Sequence, residues 1–401
     1  MWQNETFHLE SPVSGILTIN GGSSSLKFAL FKDGANNNVT RIGAGKIDRI
    51  GLANPTLQIG SERRPINIQT HADAIPLMVQ PIKEKLGPEP LAAIGHRIVH
   101  GGPNYRQHQR VDSKMIEELE HFGPFDPEHL PAEISLMRCC AKHFPDVPQF
   151  ACFDTAFHRD LPRVAYLLPI PRRFEEHGIR RYGFHGLSCS WLMQELEQIA
   201  GRDVANGRVV IAHLGNGASM TAVHKGRSMD TTMSFTPTAG LVMSRRTGDL
   251  DPSLAGYLAR TEKMSIERFQ HMINAESGLL GISGISSDMR DLLEKENSDS
   301  RAADAIASFC YNAKKHLSAL AATMGGLDTL IFSGGIGESA PEIRARICKG
   351  LQFLGIELDS AANGQNSAIT SQKGSGVTVY VIKTDEEMFI AQTVNGLLQK
   401  G

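Results

Sequence analysis

Three times along this chain a short apolar strand pattern empties into a glycine-rich turn. Residues 16–19 lead into Asn20-Gly21-Gly22-Ser23-Ser24-Ser25, and residues 208–214 into Gly215-Asn216-Gly217-Ala218-Ser219. Residues 329–332 lead into Ser333-Gly334-Gly335-Ile336-Gly337-Glu338, which reads as a third loop. The first two turns are followed by a returning strand, residues 26–31 closed by Lys32-Asp33-Gly34 and a strand up to His224 closed by Lys225-Gly226. That echo predicts a duplicated unit in an α/β chain whose ligands gather at strand ends. Between the two halves, Pro131 opens a helix with Ile134, Met137, Ala141 and Phe144 on one face, and Pro145 stops it. A strand over residues 149–153 then delivers Asp154 at its end. A helical pattern over residues 301–324 ends at Gly325-Gly326, and residues 361–376, rich in Asn, Gln, Ser and Gly, read as a surface loop before a strand over 377–382.

Glycine lets a backbone approach an anion closely, and successive N–H groups in such turns form a concave seat for phosphate oxygens. One turn of this kind is as readily a tight hairpin. Three of them, the first with a run of hydroxyls and Lys27 two residues beyond Ser25, fit a nucleotide phosphate chain. No G-x-x-x-x-G-K-[ST] occurs and no strand is followed by G-x-G-x-x-G, which disfavours the two commonest nucleotide folds. The duplicated hairpin type remains, in which ATP lies in a cleft between two similar halves.

Composition removes other classes. The 401 residues carry 41 Lys and Arg against 43 Asp and Glu, a formal net charge of −2, which argues against a nucleic-acid binder. No stretch approaches the roughly 20 apolar residues of a membrane-spanning helix. Residues 1–15 lack a basic segment followed by an apolar one, so the chain reads as cytoplasmic. The six cysteines show no C-x-x-C pair and read as buried thiols, not as a zinc site or a disulfide framework.

Ordered blocks along nearly the whole chain resemble the acetate kinases, of the acetate and propionate kinase family. They include Asn20 to Lys27, His96-Arg97-Ile98-Val99-His100-Gly101-Gly102, Phe153-Asp154-Thr155-Ala156-Phe157-His158 and Arg180-Arg181-Tyr182-Gly183-Phe184-His185-Gly186. Further on come His213 to Gly217, Gly240-Leu241-Val242-Met243, Arg246-Thr247-Gly248-Asp249-Leu250-Asp251-Pro252, Gly281 to Arg290, Gly335-Ile336-Gly337-Glu338 and Thr384-Asp385-Glu386-Glu387. The resemblance implies a duplicated ribonuclease H-like fold of the actin and sugar-kinase type. It implies two domains, residues 1–153 with 388–401, and residues 154–387, the latter with the adenosine loops and a dimer interface. It also implies a homodimer and a reversible, in-line transfer from ATP to acetate that gives ADP and acetyl phosphate, a step toward acetyl-CoA.

Acetate is already an anion and needs no strong base. The harder problem is to bring one negative group against another, which calls for arginine or histidine donors and a metal ion. By resemblance Arg97 orients the acceptor carboxylate, while Arg246 and His185 stabilise the migrating phosphoryl group. Asp154 matches the family's active-site acid or base. Proton transfer makes little physical sense for a carboxylate acceptor, so Asp154 is expected to orient an arginine or a water on the metal. Read without the family, Asp154 is a helix N-cap, Arg97 a surface ion pair, His185 a satisfied core histidine and Glu386 an exposed acid at a helix start. Asn20 and Glu386 are the expected ligands of Mg2+, or Mn2+, with Ser23, Ser25 and Lys27 at the phosphate end. His213, Leu214, Gly215, Asn216 and Gly217 would approach the phosphates. Asp288, Met289, Arg290, Gly335, Ile336, Gly337, Glu338 and Ser339 would hold the adenosine. Val99, Phe125, Phe184 and Pro237 resemble the walls of a small acyl pocket, or equally are ordinary core.

The chain departs from the family pattern in places. Gly123-Pro124-Phe125-Asp126-Pro127 is one residue shorter than the usual block and lacks its histidine, which His129 replaces only through a rearranged loop. Gly21, Leu187, Cys189 and Ser339 also stand where other residues are usual. The competing readings are a kinase for propionate or another short carboxylate, an actin-like or chaperone-like ATPase, and a non-catalytic binding module.

Overall fold

The structure, a computed structural model, describes residues 14–22, 24–33 and 39–400. Its first strand, β1 (Gly15–Gly21), is buried along its length, starts one glycine before the apolar pattern and runs two residues beyond it, through Asn20 and Gly21. It pairs antiparallel with β2 (Ser25–Asp33), Asn20 opposite Lys27 and Gly21 opposite Leu26. β2 pairs with β3 (Val39–Asp48), which continues into the hairpin strands β4 (Thr56–Ile59) and β5 (Glu62–Pro65). On its other side β1 runs parallel to β6 (Leu91–Ile98). Beyond the two-residue edge strand β7 (Gln109–Arg110), β8 (Gln149–Phe153) runs parallel to β6. The sheet order is β5-β4-β3-β2-β1-β6-β8-β7.

The second sheet repeats the central pattern. β9 (Arg208–Leu214), β10 (Ala218–His224) and β11 (Arg227–Thr231) form an antiparallel meander. β12 (Thr329–Ser333) and β13 (Thr378–Val381) then add in parallel, in the order β11-β10-β9-β12-β13. Three antiparallel strands and two parallel ones recur in the same order, which is the duplicated ribonuclease H-like α/β topology expected from the sequence. Contacts divide the chain into two compact units, everything described up to Ala156 with the stretch from Glu386 onward, and Phe157–Asp385.

In the first unit Leu17 and Ile19 of β1 and Ile94 of β6 pack with Ile75, Met78 and Ile82 of the helix Ala74–Leu86 and Leu136 and Cys140 of the helix Leu130–His143. Ala141 is exposed, contrary to the expected face. The helix Leu130–His143 touches the helices Ala74–Leu86 and Ser113–His121 as well as β6 and β1, so its buried set keeps Ile134 and Met137 of the expected face and widens to Leu130, Glu133, Leu136 and Cys140. Side chains alternate across a strand, so Gly95 faces away from Ile94, where the helix Glu386–Leu398 covers the sheet. A Cβ on Gly95 would stand 2.5 Å from Ile390 Cγ2 and 2.8 Å from Val394 Cγ2.

In the second unit Cys189, Leu192 and Leu196 of the helix Gly186–Ala200 pack on Val209, Ile211, Val223 and Ile331. The helix Ser300–Thr323 packs on β9, β10 and β11. Residues 334–339, expected as a loop, form a short helix. Residues 361–376 are no free loop either. A helix Ser360–Gly364 is capped by Asp359, and bridges pair Leu358 with Ser371 and Ile369 with Tyr380. All six cysteines are free thiols, five buried and Cys139 half-buried. No helix among the described residues is long and apolar enough to cross a membrane. Because both atoms that meet Gly95 belong to stiff β-branched side chains, Gly95→Ala is expected to destabilise the protein by about 1–3 kcal/mol. The readout is the urea midpoint, and an unchanged midpoint would contradict this packing.

Candidate active site

The parallel pairing of the first unit fixes which side chains share a strand end. Ile19 lies opposite His96, and Ile98 lies opposite Phe153, so Asn20, Arg97 and Asp154 emerge at the carboxyl ends of three neighbouring strands. There they meet. Arg97 donates from Nη2 to Asp154 Oδ2 at 2.6 Å and from Nε to both carboxylate oxygens at 3.2 and 3.3 Å. Its Nη1 points to Asn20 Oδ1 and the Gly21 carbonyl, each at 3.4 Å. Asn20 donates from Nδ2 to Glu386 Oε2 at 2.9 Å and Glu387 Oε1 at 3.1 Å.

Neither plain reading of this pair survives. The Arg97 side chain is 14% exposed and that of Asp154 0%, so this is a buried pair, not a surface one. The Asp154 carboxylate takes the guanidinium and not a backbone N–H as an N-cap would. Burial works against the charge on Arg97, yet Asp154, and then Glu386, hold it protonated beyond its ordinary range. Burial pushes the Asp154 carboxyl up, against the pull of Arg97. The double contact is that of a carboxylate with a guanidinium.

Asn20, Glu386 and Glu387 offer oxygen donors only, a set that suits a hard divalent cation which keeps most of its waters. No group of three or more His, Cys, Asp or Glu among the described residues is arranged to hold a metal. Lys27 is exposed and lines a hollow of about 300 Å3 with Phe28, Arg41, Lys46, Gln58 and Glu387. The Ser25 carbonyl accepts the Gly22 N–H at 2.7 Å, which closes the first turn. Ser23 and Gly34 lie outside the described residues. Val99 is buried, and Phe125 packs edge-on to His100 and tilted against Phe122. His129 stands just ahead of the helix Leu130–His143 without a side-chain cap, its Nδ1 2.9 Å from Asp126 Oδ1.

In the second unit His185 takes a left-handed backbone conformation, φ 58°, as it turns into the helix Gly186–Ala200. A non-glycine residue held there is constrained by its surroundings. Its Nδ1 lies 2.9 Å from Ser219 Oγ, and its ring is 4.4 Å from that of His213. Gly217 brings His185 and Arg246 together, since a Cβ there would lie 3.3 Å from His185 Nε2 and 3.7 Å from Arg246 Nη1. Arg246 donates to the Pro237 carbonyl at 3.1 Å. Phe184 is buried, and its carbonyl faces His158 Nε2 at 2.9 Å.

A cavity of about 480 Å3 in the same unit gathers the two expected adenosine segments and part of the loop expected at the phosphates. Gly215 and Asn216, Asp288, Met289 and Arg290, and Gly335, Ile336 and Ser339 line it, together with Ser244, Ser287, Leu293 and Ala340, which the sequence did not single out. The other expected members stand behind this lining. Leu214 is fully buried, and His213 Nδ1 lies 2.9 Å from Ser188 Oγ. Glu338 folds back to accept the Gly334 N–H at 2.9 Å and the Thr384 N–H at 3.2 Å, while Gly337 is a buried residue of the short helix 334–339. Gly334 must be glycine, with φ 75° and a would-be Cβ 2.7 Å from the Leu214 carbonyl. The fully buried Arg344 donates to the Gly337 carbonyl at 2.8 Å and the Glu338 carbonyl at 3.2 Å, and so secures the helix from its far end. Only the fold shows this role, because Arg344 sits in an ordinary helical pattern.

Removing one member of a buried ion pair strands the other. Arg97→Met alone and Asp154→Leu alone are therefore each expected to lower stability by about 3–5 kcal/mol, and the two together to recover most of that loss. Denaturant midpoints of the two single variants and the double variant check this, and simple additivity would contradict the pairing.

The profile of the Acetokinase family matches residues 15–392. The acetate kinase of Rhodopseudomonas palustris (strain ATCC BAA-98 / CGA009) is 42% identical over 395 residues, 96% of this chain and 99% of that protein. The crystal structure of Porphyromonas gingivalis acetate kinase superposes with a TM-score of 0.86 at 33% identity, over 96% of this chain and 100% of the other. That of a propionate kinase from Francisella tularensis subsp. tularensis gives 0.89 at 35% identity, over 95% and 98%. With the profile spanning both units and every strand end described above, the chain belongs to the acetokinase family.

Proposed function

We propose that this protein is a kinase with a carboxylate as acceptor, moving the γ-phosphoryl group of ATP to acetate, reversibly, to give acetyl phosphate and ADP. The observation that carries the reading is the guanidinium of Arg97, fixed along one edge by Asp154 at the end of three parallel strands. Asp154 orients that fork and exchanges no proton. The acceptor carboxylate binds to the remaining positive edge, which holds its oxygen in line. Arg246 and His185, gathered over Gly217, bind the oxygens of the migrating group and spread its charge. The cavity bounded by Asp288 and Gly335 takes the adenosine. Val99, Phe125, Phe184 and Pro237 limit the acyl chain.

Asn20 and Glu386 hold Mg2+, with Mn2+ as the other ion of that chemistry, and Ser23, Ser25 and Lys27 serve the phosphates. When bound, the ion neutralises phosphate charge that would otherwise repel the acceptor. The same reading takes residues 1–153 with 388–401 as one domain and 154–387 as the other, the latter carrying the contact of a homodimer. It places the protein in the cytoplasm, where acetyl phosphate leads to acetyl-CoA. The propionate kinase among the similar structures supports a second acceptor, since one methylene is worth only about 1–3 kcal/mol in such a pocket.

Trapping acyl phosphate as hydroxamate, with acetate, propionate and butyrate in parallel, tests this. Acetate is expected to give the highest kcat/KM, and Arg97→Ala to lower it by about 100-fold or more. ATP hydrolysis without hydroxamate from any of the three would contradict the proposal.

A further inference from the structure

The helix Leu130–His143 carries one carboxyl that no ion pair explains. Glu133 is 2% exposed, and its Oε2 accepts the Val99 backbone N–H at 2.9 Å. Its Oε1 is buried and has no hydrogen-bond partner among the described residues. As an anion, this group would hold a bare oxygen away from water with nothing to replace the lost hydration.

The groups whose charge acts on it come from three neighbouring segments. Arg97 on β6 favours the ionised form, while Asp126 ahead of the helix and Asp154 beyond β8 oppose it. Each is already engaged. Arg97 has two nitrogens on Asp154, Glu386 acts on both of them, and Asp126 pairs with His129, whose own charge acts on Asp154. One guanidinium beside two buried carboxyls neutralises one of them, and its geometry assigns it to Asp154. Burial accordingly pushes the Glu133 carboxyl up to about 8, against the pull of Arg97.

We propose that Glu133 is a positioning residue that works as the neutral carboxylic acid, tying Val99 to the helix while leaving the charge of Arg97 unshared by a second buried anion. The proposal rests on the reading of Arg97 as the site of the acceptor carboxylate. Ionised Glu133 sets a negative charge beside that site, repels the acceptor and competes for the guanidinium, while nucleotide binding is untouched. No proton passes to or from the reactants.

The test is KM for acetate and for ATP between about pH 6.5 and about pH 9.5, either side of that midpoint, in the wild type and in Glu133→Gln. Glutamine keeps the oxygen that accepts from Val99 and cannot ionise. The wild-type KM for acetate is expected to rise about tenfold across the range, with KM for ATP steady and Glu133→Gln changing by about twofold or less. A flat wild-type profile, or a rise that survives in Glu133→Gln, overturns the proposal. A second measurement needs neither activity nor a folded variant: the side-chain carboxyl carbon of Glu133, followed by 13C NMR in the wild type. A midpoint well above the ordinary carboxylate range supports the proposal, and an ordinary one overturns it. Failure of the wild type to phosphorylate any carboxylate would count instead against the proposed function, and the NMR titration would still decide the state of Glu133.

Discussion

A buried guanidinium is costly to hold, and the ion pair of Arg97 with Asp154 is what makes it possible in the first unit. Taking both charges out of water costs several kcal/mol for each, and only near-ideal geometry with several hydrogen bonds offsets that. The structure meets the condition with three donor contacts to one carboxylate and a side-chain exposure of 14% against 0%. The sheet makes the geometry reproducible. β6 and β8 run in parallel with Arg97 opposite Cys152, so the two charged side chains leave adjacent strands at nearly one level. Asp154 thereby uses one side of the fork and leaves the other toward Asn20 and Gly21.

The second unit solves a matching problem with backbone. Gly217 leaves room for His185 and Arg246 to approach one place, and the left-handed turn at His185 sets its ring beside Ser219 and His213. Gly334, with no Cβ to collide with the Leu214 carbonyl, lets the short helix start directly on β12. An arginine and a histidine meet a glycine-lined backbone, an arrangement suited to phosphate oxygens.

Much of this was legible in the amino-acid order. β8 and β9 have the boundaries that their apolar runs and flanking turns predict, and the duplicated meander follows from the echo of two strand-and-glycine turns. The helix over residues 334–339 was not legible, because its glycines have no helical propensity and its start is braced by Glu338 from within. The buried face around Glu133 was missed for another reason. Periodicity names apolar positions, and a carboxyl buried next to an arginine reads as a surface residue until the fold brings β6 beside it. Arg344 and Glu387 belong to the same class, polar groups whose partners lie far along the chain or on carbonyls that no pattern marks.

If Asp154 serves to hold a guanidinium, it should hold one that is not covalently attached. The most direct measurement adds free guanidinium ion to Arg97→Ala and to Arg97→Ala with Asp154→Asn, and follows acetyl phosphate formation. Recovery of turnover in the first protein and none in the second is the predicted result. Equal recovery in both would contradict the claim that Asp154 acts through the arginine.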